Sequence, residues 1–151
     1  MSEQQLHSLT IASVQPETDL AVRVGFAVPD ELRDSFAYKQ GQYLTLESDV
    51  DGQPVRRSYS ICSGVNDDEM QIAIKRVEGG LFSNFANDSL KAGDTIKVLP
   101  PQGTFFTELD ADAARNYLFI SSGSGITPVV SNIKTILEDE PNSKVTLLFG
   151  N

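Results

Sequence analysis

Residues 56–63 read RRSYSICS, a stretch that puts cations, an aromatic ring and hydroxyl groups next to one another in a predicted β-strand. An arginine can bind two phosphate oxygens at once, and a tyrosine offers a flat face and a hydroxyl. The two-residue period of a strand places Arg57 and Tyr59 on one face and Ser60 on the other, so the strand must bend or end there if all three are to meet one ligand. The stretch suits a ligand with a pyrophosphate and a flat ring. An ordinary barrel strand with exposed polar residues is the alternative interpretation.

Short segments with alternating apolar residues lie on both sides of this stretch. Such alternation predicts strands with one buried face, and turn signals such as Asp51-Gly52 and Gly93-Asp94 separate them. Six antiparallel strands within about a hundred residues predict a small closed or nearly closed barrel. The predicted strands are residues 9–14, 21–28, 43–47, 56–62, 70–75 and 95–99.

One predicted helix interrupts the strands directly after Gly79-Gly80. Glycines allow a backbone to approach a ligand closely, and the start of a helix presents free N–H groups and a partial positive charge. Both features suit a pyrophosphate, although a plain strand-to-helix turn also favours glycine. The apolar residues at helical spacing, which we interpret as core, are Phe82, Phe85, Ala86 and Leu90.

The composition changes at residue 108. Residues 108–115 are acidic and alanine-rich, which predicts a linker or a short helical turn. The apolar run at 117–120 predicts a strand covered on both faces, an amphipathic helix follows over 129–137, and residues 145–149 predict a second buried strand. This order of elements is one β-α-β unit.

The first strand of that unit leads to the helix through GSGITP, residues 123–128. A glycine-rich turn at the carboxyl end of a parallel strand lets a nucleotide approach closely. We expect Thr127 to cap the helix and Pro128 to lie in its first turn. Pro128 stands where the usual fingerprint has a third glycine, so the turn alone is a weakly specific indication of nucleotide binding. Its position after a predicted barrel strengthens that indication.

A single β-α-β unit cannot build a doubly wound sheet, which usually has about five or six strands. We therefore expect the chain to be the front part of a longer protein. The alternative is a complete small protein in which the two strands extend the barrel. The unprotected edge of the strand at 145–149 is a reason to expect pairing with a second copy of the chain, as a homodimer.

The composition excludes several classes of function. A net charge of −9 disfavours nucleic acid and anionic membranes as partners. With Cys62 as its one cysteine and His7 as its one histidine, the chain has no set of metal ligands of the zinc or iron–sulfur type. The N-terminus is not a signal peptide and no apolar run approaches the length of a membrane span, which indicates a cytoplasmic protein. The acidic run Glu138-Asp139-Glu140 is expected to be solvated.

Taken together and in this order, the three motifs resemble the ferredoxin–NADP⁺ reductase superfamily. Its pattern Arg-x-Tyr-Ser-x-x-Ser stands here at residues 57–63, its glycine-led helix start at 79–83, and its Gly-x-Gly-x-x-Pro turn at 123–128. The segment Pro100–Phe105 is similar to the one that closes the family's barrel near the flavin. In detail the chain looks most like the reductase components of phenylacetyl-CoA oxygenase-type systems.

This resemblance implies a mainly β fold. A six-stranded antiparallel Greek-key FAD-binding barrel with one helix would occupy residues 1–108, and residues 109–115 would be a linker. Residues 116–151 would be the first β-α-β unit of an α/β NAD(P)-binding domain. The implied activity is the transfer of electrons from NAD(P)H through FAD to an iron–sulfur acceptor, either ferredoxin or a fused [2Fe–2S] domain, that serves an oxygenase. A non-catalytic barrel, with or without flavin, that regulates or binds other proteins is the alternative.

The resemblance also implies roles for particular residues. Arg57 would bind the FAD pyrophosphate, Tyr59 would lie against the isoalloxazine, and Ser60 would sit beside the flavin N5 edge, which makes Tyr59 and Ser60 the catalytic candidates. The helix start would hold phosphate through backbone and side chains, and the turn at 123–128 would meet the nicotinamide. The remaining cofactor-binding candidates are Ser63, Ala73, Ile74, Lys75, Gly79, Gly80, Leu81, Phe82, Ser83, Gly123, Ser124, Gly125, Thr127 and Pro128.

Overall fold

A six-stranded antiparallel sheet dominates the computed structural model, which describes residues 5–151. The sequence prediction of six strands is confirmed for this part of the chain. The strands are β1 (His7–Thr18), β2 (Ala21–Ala27), β3 (Tyr43–Val50), β4 (Gln53–Ser60), β5 (Met70–Lys75) and β6 (Thr95–Val98).

The strand order β4-β3-β6-β1-β2-β5 is that of a Greek key. Two hairpins, β1–β2 and β3–β4, are joined by β6, which returns between β3 and β1. The tight turn between β3 and β4 uses Asp51 and Gly52, both with positive φ, as a two-residue hairpin turn requires. The outer strands β4 and β5 meet at a bridge between Ile61 and Ile72, which closes the sheet into a barrel.

Alternating side chains of the strands fill the barrel. Helix α1 (Leu81–Asp88) covers one opening and adds Phe82 and Ala86 to the same core. Full burial of each large apolar side chain stabilises the fold by about 1.5–3 kcal/mol. The completely buried apolar side chains of the strands include Leu9, Val24, Leu44, Leu46, Ile72, Ile74 and Val98.

The second unit is the predicted β-α-β arrangement. It consists of β7 (Asn116–Ser122), α2 (Ile126–Asp139) and β8 (Lys144–Gly150), and the two strands pair in parallel. The expectation that Thr127 caps the helix is wrong, because the N-cap is Gly125, two residues earlier, and α2 begins at Ile126. The Thr127 Oγ1 instead donates a hydrogen bond to the Ser124 carbonyl at 3.0 Å.

The expectation that β7 and β8 are covered on both faces is also wrong for this chain. Helix α2 packs on one face, and among residues 5–151 no other element covers the opposite one. Leu118, Ile120 and Leu148 on that face are 60%, 73% and 54% exposed. A continuous apolar run correctly indicates a parallel strand, but the second covering layer has to come from other elements.

The segment between the two units is held by a buried carboxylate. Glu140 follows α2, is fully buried, and accepts hydrogen bonds from the Ser143 hydroxyl at 2.6 Å, the Tyr117 hydroxyl at 2.9 Å and the Asp110 N–H at 3.1 Å. Arg115 pairs with it at 3.1 Å. Burial alone raises the pKa of Glu140, but these partners outweigh it and lower that pKa. The prediction that residues 138–140 are all solvated is therefore wrong at Glu140.

The described part of the chain contains no helix long and apolar enough to cross a membrane.

Candidate functional site

The barrel has a seam where the edges of β4 and β5 face each other. Within residues 5–151 the two strands are joined only at the Ile61–Ile72 bridge. The Cys62 N–H donates to the Gln71 carbonyl at 2.9 Å, so the polar backbone groups of Gln71 point into the seam. By the two-residue period, those of Ala73 and Lys75 point the same way. Lys75 lies beyond the bridge, and its backbone groups are therefore open to a ligand in the seam.

Arg57 differs from every other arginine of the chain. Its guanidinium is exposed, donates to the Arg56 carbonyl at 2.8 Å, and pairs with no carboxylate of the described residues. In a chain of net charge −9, a guanidinium without a carboxylate partner is suited to bind an anion from outside the protein. The other arginine pairs are Arg23–Glu17, Arg33–Asp30, Arg56–Glu47, Arg76–Asp88 and Arg115–Glu140.

Tyr59 lies on the same face of β4 as Arg57 and is half-buried. Its ring packs at 5.8 Å, centroid to centroid, from the ring of Phe82 in the first turn of α1. Burial raises the pKa of Tyr59, and the nearby Arg57 charge partly opposes that rise. The phenol is therefore neutral at physiological pH. The Tyr59–Phe82 contact brings the first two sequence motifs together at the seam.

Ser60 is the last residue of β4, so the strand end that the sequence analysis required is present. The pairing with β3 stays regular through Ser60 and Tyr43, which leaves the Ser60 side chain on the opposite face from Tyr59. The backbone then changes partner, because Ile61 bridges to β5. In this arrangement the Ser60 hydroxyl does not share a face with Arg57 and Tyr59, and its place beside a flavin stays a prediction.

The start of α1 offers backbone amides rather than side chains. Gly80 is the N-cap, no side chain of the described residues caps the helix, and Gly79 has φ +70° with open space where a Cβ would stand. The first N–H groups of a helix have no partner within the helix, so they are available to an anion.

The expected phosphate contacts from the side chains of this helix start are not supported by the structure. Phe82 is buried in the core, and Ser83 is buried with its hydroxyl accepting from the Val77 N–H at 3.0 Å. Ile74 on β5 is likewise a core side chain, and its carbonyl accepts from the Asn87 side chain at 3.1 Å. Leu81 remains exposed at the helix start.

Ser63 has a structural role in this arrangement. Its hydroxyl accepts from the Gln71 N–H at 2.9 Å and is hydrogen-bonded to the Tyr38 hydroxyl at 2.8 Å. Burial raises the pKa of Tyr38 to about 12, so this phenol stays protonated. Burial also raises the pKa of the neighbouring Cys62 thiol to about 11, so Cys62 is a packed thiol and not a reactive thiolate. A direct contact between Ser63 and a cofactor stays a prediction.

The third motif forms an exposed turn at the carboxyl end of β7. Gly123–Gly125 make a single 3₁₀ turn, and Gly123 has φ +52° with open space where a Cβ would stand. Thr127 and Pro128 are half-buried in the first turn of α2. The turn lies beside the end of β8, where Ser122 pairs with Gly150. Backbone groups at this edge can be approached from outside, as a nucleotide requires.

Sequence reasoning missed the residues that fasten this turn to the barrel. Ser131, Asn132 and Thr135 of α2 are buried and hydrogen-bonded to backbone groups of barrel loops. In the sequence they are simply the polar positions of an amphipathic helix. No sequence signal distinguishes a polar residue that faces another unit from one that faces water.

Two protein families match the chain in succession. The oxidoreductase FAD-binding domain matches residues 11–107, which include the barrel seam with Arg57, Tyr59 and the start of α1. The chain belongs to the family of oxidoreductase FAD-binding domains. The oxidoreductase NAD-binding domain matches residues 119–151, which include the turn at 123–128.

Similar proteins include components of oxygenase systems. The chain is 44% identical over 145 residues to a subunit of 1,2-phenylacetyl-CoA epoxidase from Escherichia coli, covering 96% of this chain and 41% of that protein. It is 44% identical over 147 residues to the ferredoxin reductase component of 3-ketosteroid-9-alpha-monooxygenase from Rhodococcus rhodochrous, covering 95% of this chain and 40% of that one. The chain therefore spans about two fifths of the length of these curated relatives.

A solved structure shares the fold over nearly the whole chain. The FAD/NAD-binding domain of nitric oxide dioxygenase from Vibrio cholerae superposes with a TM-score of 0.77 at 29% identity, covering 94% of this chain and 61% of the other. The barrel with its following β-α-β unit is thus the FAD- and NAD-binding architecture of this family.

The residues of the seam fit FAD chemically. The pyrophosphate is a dianion, and the seam offers Arg57, which has no carboxylate partner among the described residues, on the strand whose Tyr59 contacts the first turn of α1. The isoalloxazine is flat with a polar edge, and the seam offers the half-buried Tyr59 ring and the unpaired strand edge at Lys75. Backbone amides and a single guanidinium can overcome the unfavourable net charge locally.

Proposed function

We propose that this chain is the flavin-binding part, and the start of the nicotinamide-binding part, of a reductase. The complete reductase would pass electrons from NAD(P)H through FAD to an iron–sulfur acceptor, either ferredoxin or a fused [2Fe–2S] domain, that serves an oxygenase. The observation that carries the proposal is the seam, where Arg57, without a carboxylate partner among residues 5–151, shares a strand face with Tyr59, whose ring contacts Phe82 in the first turn of α1. The relatives named as part of an epoxidase and as a ferredoxin reductase component support the partner class.

We divide the chain into a FAD-binding barrel at residues 1–108, a linker at 109–115 and the start of an NAD(P)-binding domain at 116–151. The barrel has its own apolar core, and the β-α-β unit has a separate parallel sheet. The linker in this division is the segment that Glu140 and Arg115 hold in place.

Each part of the seam has a distinct task in this proposal. Arg57 and the backbone amides at residues 81–83 would hold the pyrophosphate, and Tyr59 would orient the ring and exclude water from one side of it. The backbone edge at Ala73 and Lys75 would bind the polar rim of the ring. Bound FAD accepts a hydride and can release its electrons one at a time, chemistry that the protein does not have to supply.

The turn at Gly123–Pro128 would bring NAD(P)H to the flavin. Its small residues permit close approach to the end of β7, as nucleotide binding at the end of a parallel strand requires. No described side chain has to act as a nucleophile or general base for hydride transfer. This agrees with a neutral Tyr59 and a protonated Cys62 near the seam.

The acceptor of the electrons would be a separate protein or domain. The chain has the single cysteine Cys62, whereas a [2Fe–2S] cluster of this class needs a full set of cysteine ligands. The acidic surface makes nucleic acid and anionic membranes poor partners. We place the protein in the cytoplasm, where NAD(P)H is available.

The exposed apolar face of β7 and β8 supports a further, finer proposal. A parallel sheet is normally covered on both faces, and the free edge of β8 can pair with another strand. We therefore propose that the 151-residue chain by itself associates as a homodimer through this edge. Sedimentation velocity should show a dimer at micromolar concentration, and a monomer at every concentration would refute this pairing.

The experiment that tests the proposed function is reduction of flavin by the full-length gene product. After reconstitution with FAD, addition of NADH or NADPH without oxygen should bleach the flavin absorbance in a saturable way. A colourless protein that takes up no FAD would indicate a flavin-free binding module. A yellow protein that neither nicotinamide bleaches would indicate a flavin-carrying regulator.

A further inference from the structure

Helix α2 contacts the barrel through a small set of buried polar groups, which we call the polar interface: Ser131, Asn132 and Thr135. The exposed fractions of these residues are 0%, 3% and 1%. The Ser131 hydroxyl donates to the Ser63 carbonyl at 2.7 Å and accepts from the Gly41 N–H at 3.3 Å. The hydroxyl of Thr135 accepts from the Val65 N–H at 3.1 Å.

The third residue of the interface reaches a different loop. The Asn132 side-chain amide donates to the Phe105 carbonyl at 3.1 Å. Gly41 lies between these two contacts, with φ +87° and a position for a Cβ only 2.0 Å from the Phe105 carbonyl oxygen and 2.5 Å from the Asn132 amide nitrogen. Only glycine fits there, so the barrel loop lies against the helix as closely as its backbone allows.

Directional hydrogen bonds make this interface different from a simple apolar contact. Each bond ends on a backbone group of the barrel, which cannot move without moving its strand or loop. Apolar side chains can slide against one another, whereas buried hydrogen bonds hold only over a narrow range of distance and angle. The set therefore specifies one orientation of α2 on the barrel.

The positions of these bonds connect the two nucleotide motifs. Ser63 is the last residue of the Arg-x-Tyr-Ser-x-x-Ser stretch that begins at Arg57, and Ser131 lies in the second turn of the helix that begins at the turn 123–128. The bond between them ties the segment directly after β4, the strand that carries Tyr59, to the helix that follows the turn at 123–128.

We propose that Ser131, Asn132 and Thr135 are positioning residues that fix the turn at 123–128 relative to the flavin-binding strand β4, and so set the geometry of hydride transfer. The effect on hydride transfer rests on the proposed function, but the orientation of α2 on the barrel can be tested without any ligand. Hydride transfer requires the reacting atoms at about 3–3.5 Å, and a displacement of about 1 Å can lower a rate a hundred-fold. None of the three side chains has to touch either nucleotide.

Solvent-exposed contacts at the edge of the same interface provide a matched control. Lys134 on α2 pairs with Asp67 of the barrel, and both side chains are partly exposed. Exposed ion pairs hold geometry weakly because water competes for both charges. Lys134→Ala should therefore leave the orientation unchanged, although it removes a contact between the same two units.

The first test uses the FAD-free protein. In the full-length gene product carrying Ser131→Ala and Thr135→Val, hydrogen exchange at the Gly41 and Val65 amides should accelerate about ten-fold or more, whereas amides between β1 and β2 should keep their protection. Residual dipolar couplings should show that α2 has lost its single orientation relative to the barrel. Thr135→Ser, which keeps the hydroxyl, and Lys134→Ala should match the wild type.

The second test uses the FAD-loaded protein. The double variant should bind FAD within about two-fold of the wild type, yet its flavin should be reduced by NAD(P)H about ten-fold or more slowly at saturating nicotinamide. If the double variant does not fold, the single variant Thr135→Val is compared with Thr135→Ser in both tests. Faster exchange and slower flavin reduction in Thr135→Val only would support the inference.

Three results would overturn the inference: unchanged exchange at both amides, an unchanged reduction rate, or a parallel loss of FAD affinity and reduction rate. The third result would show that the polar interface contributes to the stability of the protein and not to the positioning of the turn. A wild-type protein that binds no FAD or is not reduced would contradict the proposed function instead, and the exchange and orientation measurements would still decide whether α2 is fixed by these residues.

Discussion

The barrel and the β-α-β unit are stabilised in opposite ways. The continuous apolar core consists of barrel residues between Leu9 and Val98, and in the second unit the fully buried apolar side chains are those of Val129 and Ile136. The second unit instead buries hydroxyl, amide and carboxylate groups, most of them bonded to the barrel or to the linker. The barrel therefore has an apolar core of its own, whereas the second unit is held to the barrel mainly by buried polar groups.

The largest expected effect tests the barrel core. Leu46 is completely buried on β3, opposite Arg57, so Leu46→Ala should lower the free energy of unfolding by about 2–5 kcal/mol. Urea unfolding followed by circular dichroism would measure it. A loss below about 1 kcal/mol would mean that the barrel is not the main source of stability.

The second prediction concerns the seam. Arg57→Ala should weaken FAD binding ten-fold or more, about 1.4 kcal/mol at least, because a charge-assisted hydrogen bond to the pyrophosphate is lost. Arg33→Ala is the matched control, since Arg33 is an exposed arginine already paired with Asp30. Equal FAD affinities of the two variants in a fluorescence titration would refute the assignment of Arg57.

The third prediction uses pH to separate the two regions. The pKa of Glu140 is lower in the folded protein than in the unfolded chain, so its contribution to stability is complete above the ordinary glutamate pKa and is lost as the pH falls through the folded value. Acidification should therefore loosen the linker and α2 before the barrel core. Glu140→Gln should reduce this acid sensitivity and lower the thermal midpoint at neutral pH.

Hydrogen exchange along a pH series would measure this difference. Glu138→Gln, an exposed position on α2, is the control and should behave like the wild type. If exchange at the Asp110 amide, which donates to Glu140, has the same pH dependence in both variants, Glu140 does not hold the linker.

The smallest expected effect concerns the open face of β7. Ile120 is 73% exposed, so Ile120→Ser should change the free energy of unfolding by no more than about 0.5 kcal/mol. The same substitution should weaken association of the 151-residue chain. A large loss of stability in the monomer would show that this face is packed within the chain.

The barrel could be predicted from the sequence because its strands have one solvent-facing and one buried face, which produces alternating polar and apolar residues. Val24 and Ile72, for example, are core residues in alternating segments, and both are completely buried. The same logic overestimated the burial of β7, because the run at 117–120 indicates a parallel strand but not what covers it. The start of α2 differed by two residues because Gly125, which has no side chain to signal a cap, is the N-cap instead of Thr127.

Two classes of residue could not be found from the sequence. Glu140 lies in an acidic run and Ser131 on a polar stripe of a helix, and both are fully buried because residues distant in sequence approach them. Local patterns carry no information on such partners. The cofactor contacts of the candidate site stay a prediction, whereas the buried side chains of Phe82, also interpreted as core from the sequence, and Ser83 are used inside the protein.

The most direct test of the flavin seam is titration of the FAD-free 151-residue chain with FAD, followed by flavin fluorescence and the visible absorbance spectrum. The seam predicts saturable binding of one FAD per chain and a yellow protein after removal of free flavin. A chain that folds with the expected circular dichroism but leaves FAD fluorescence unchanged at every concentration would contradict the account.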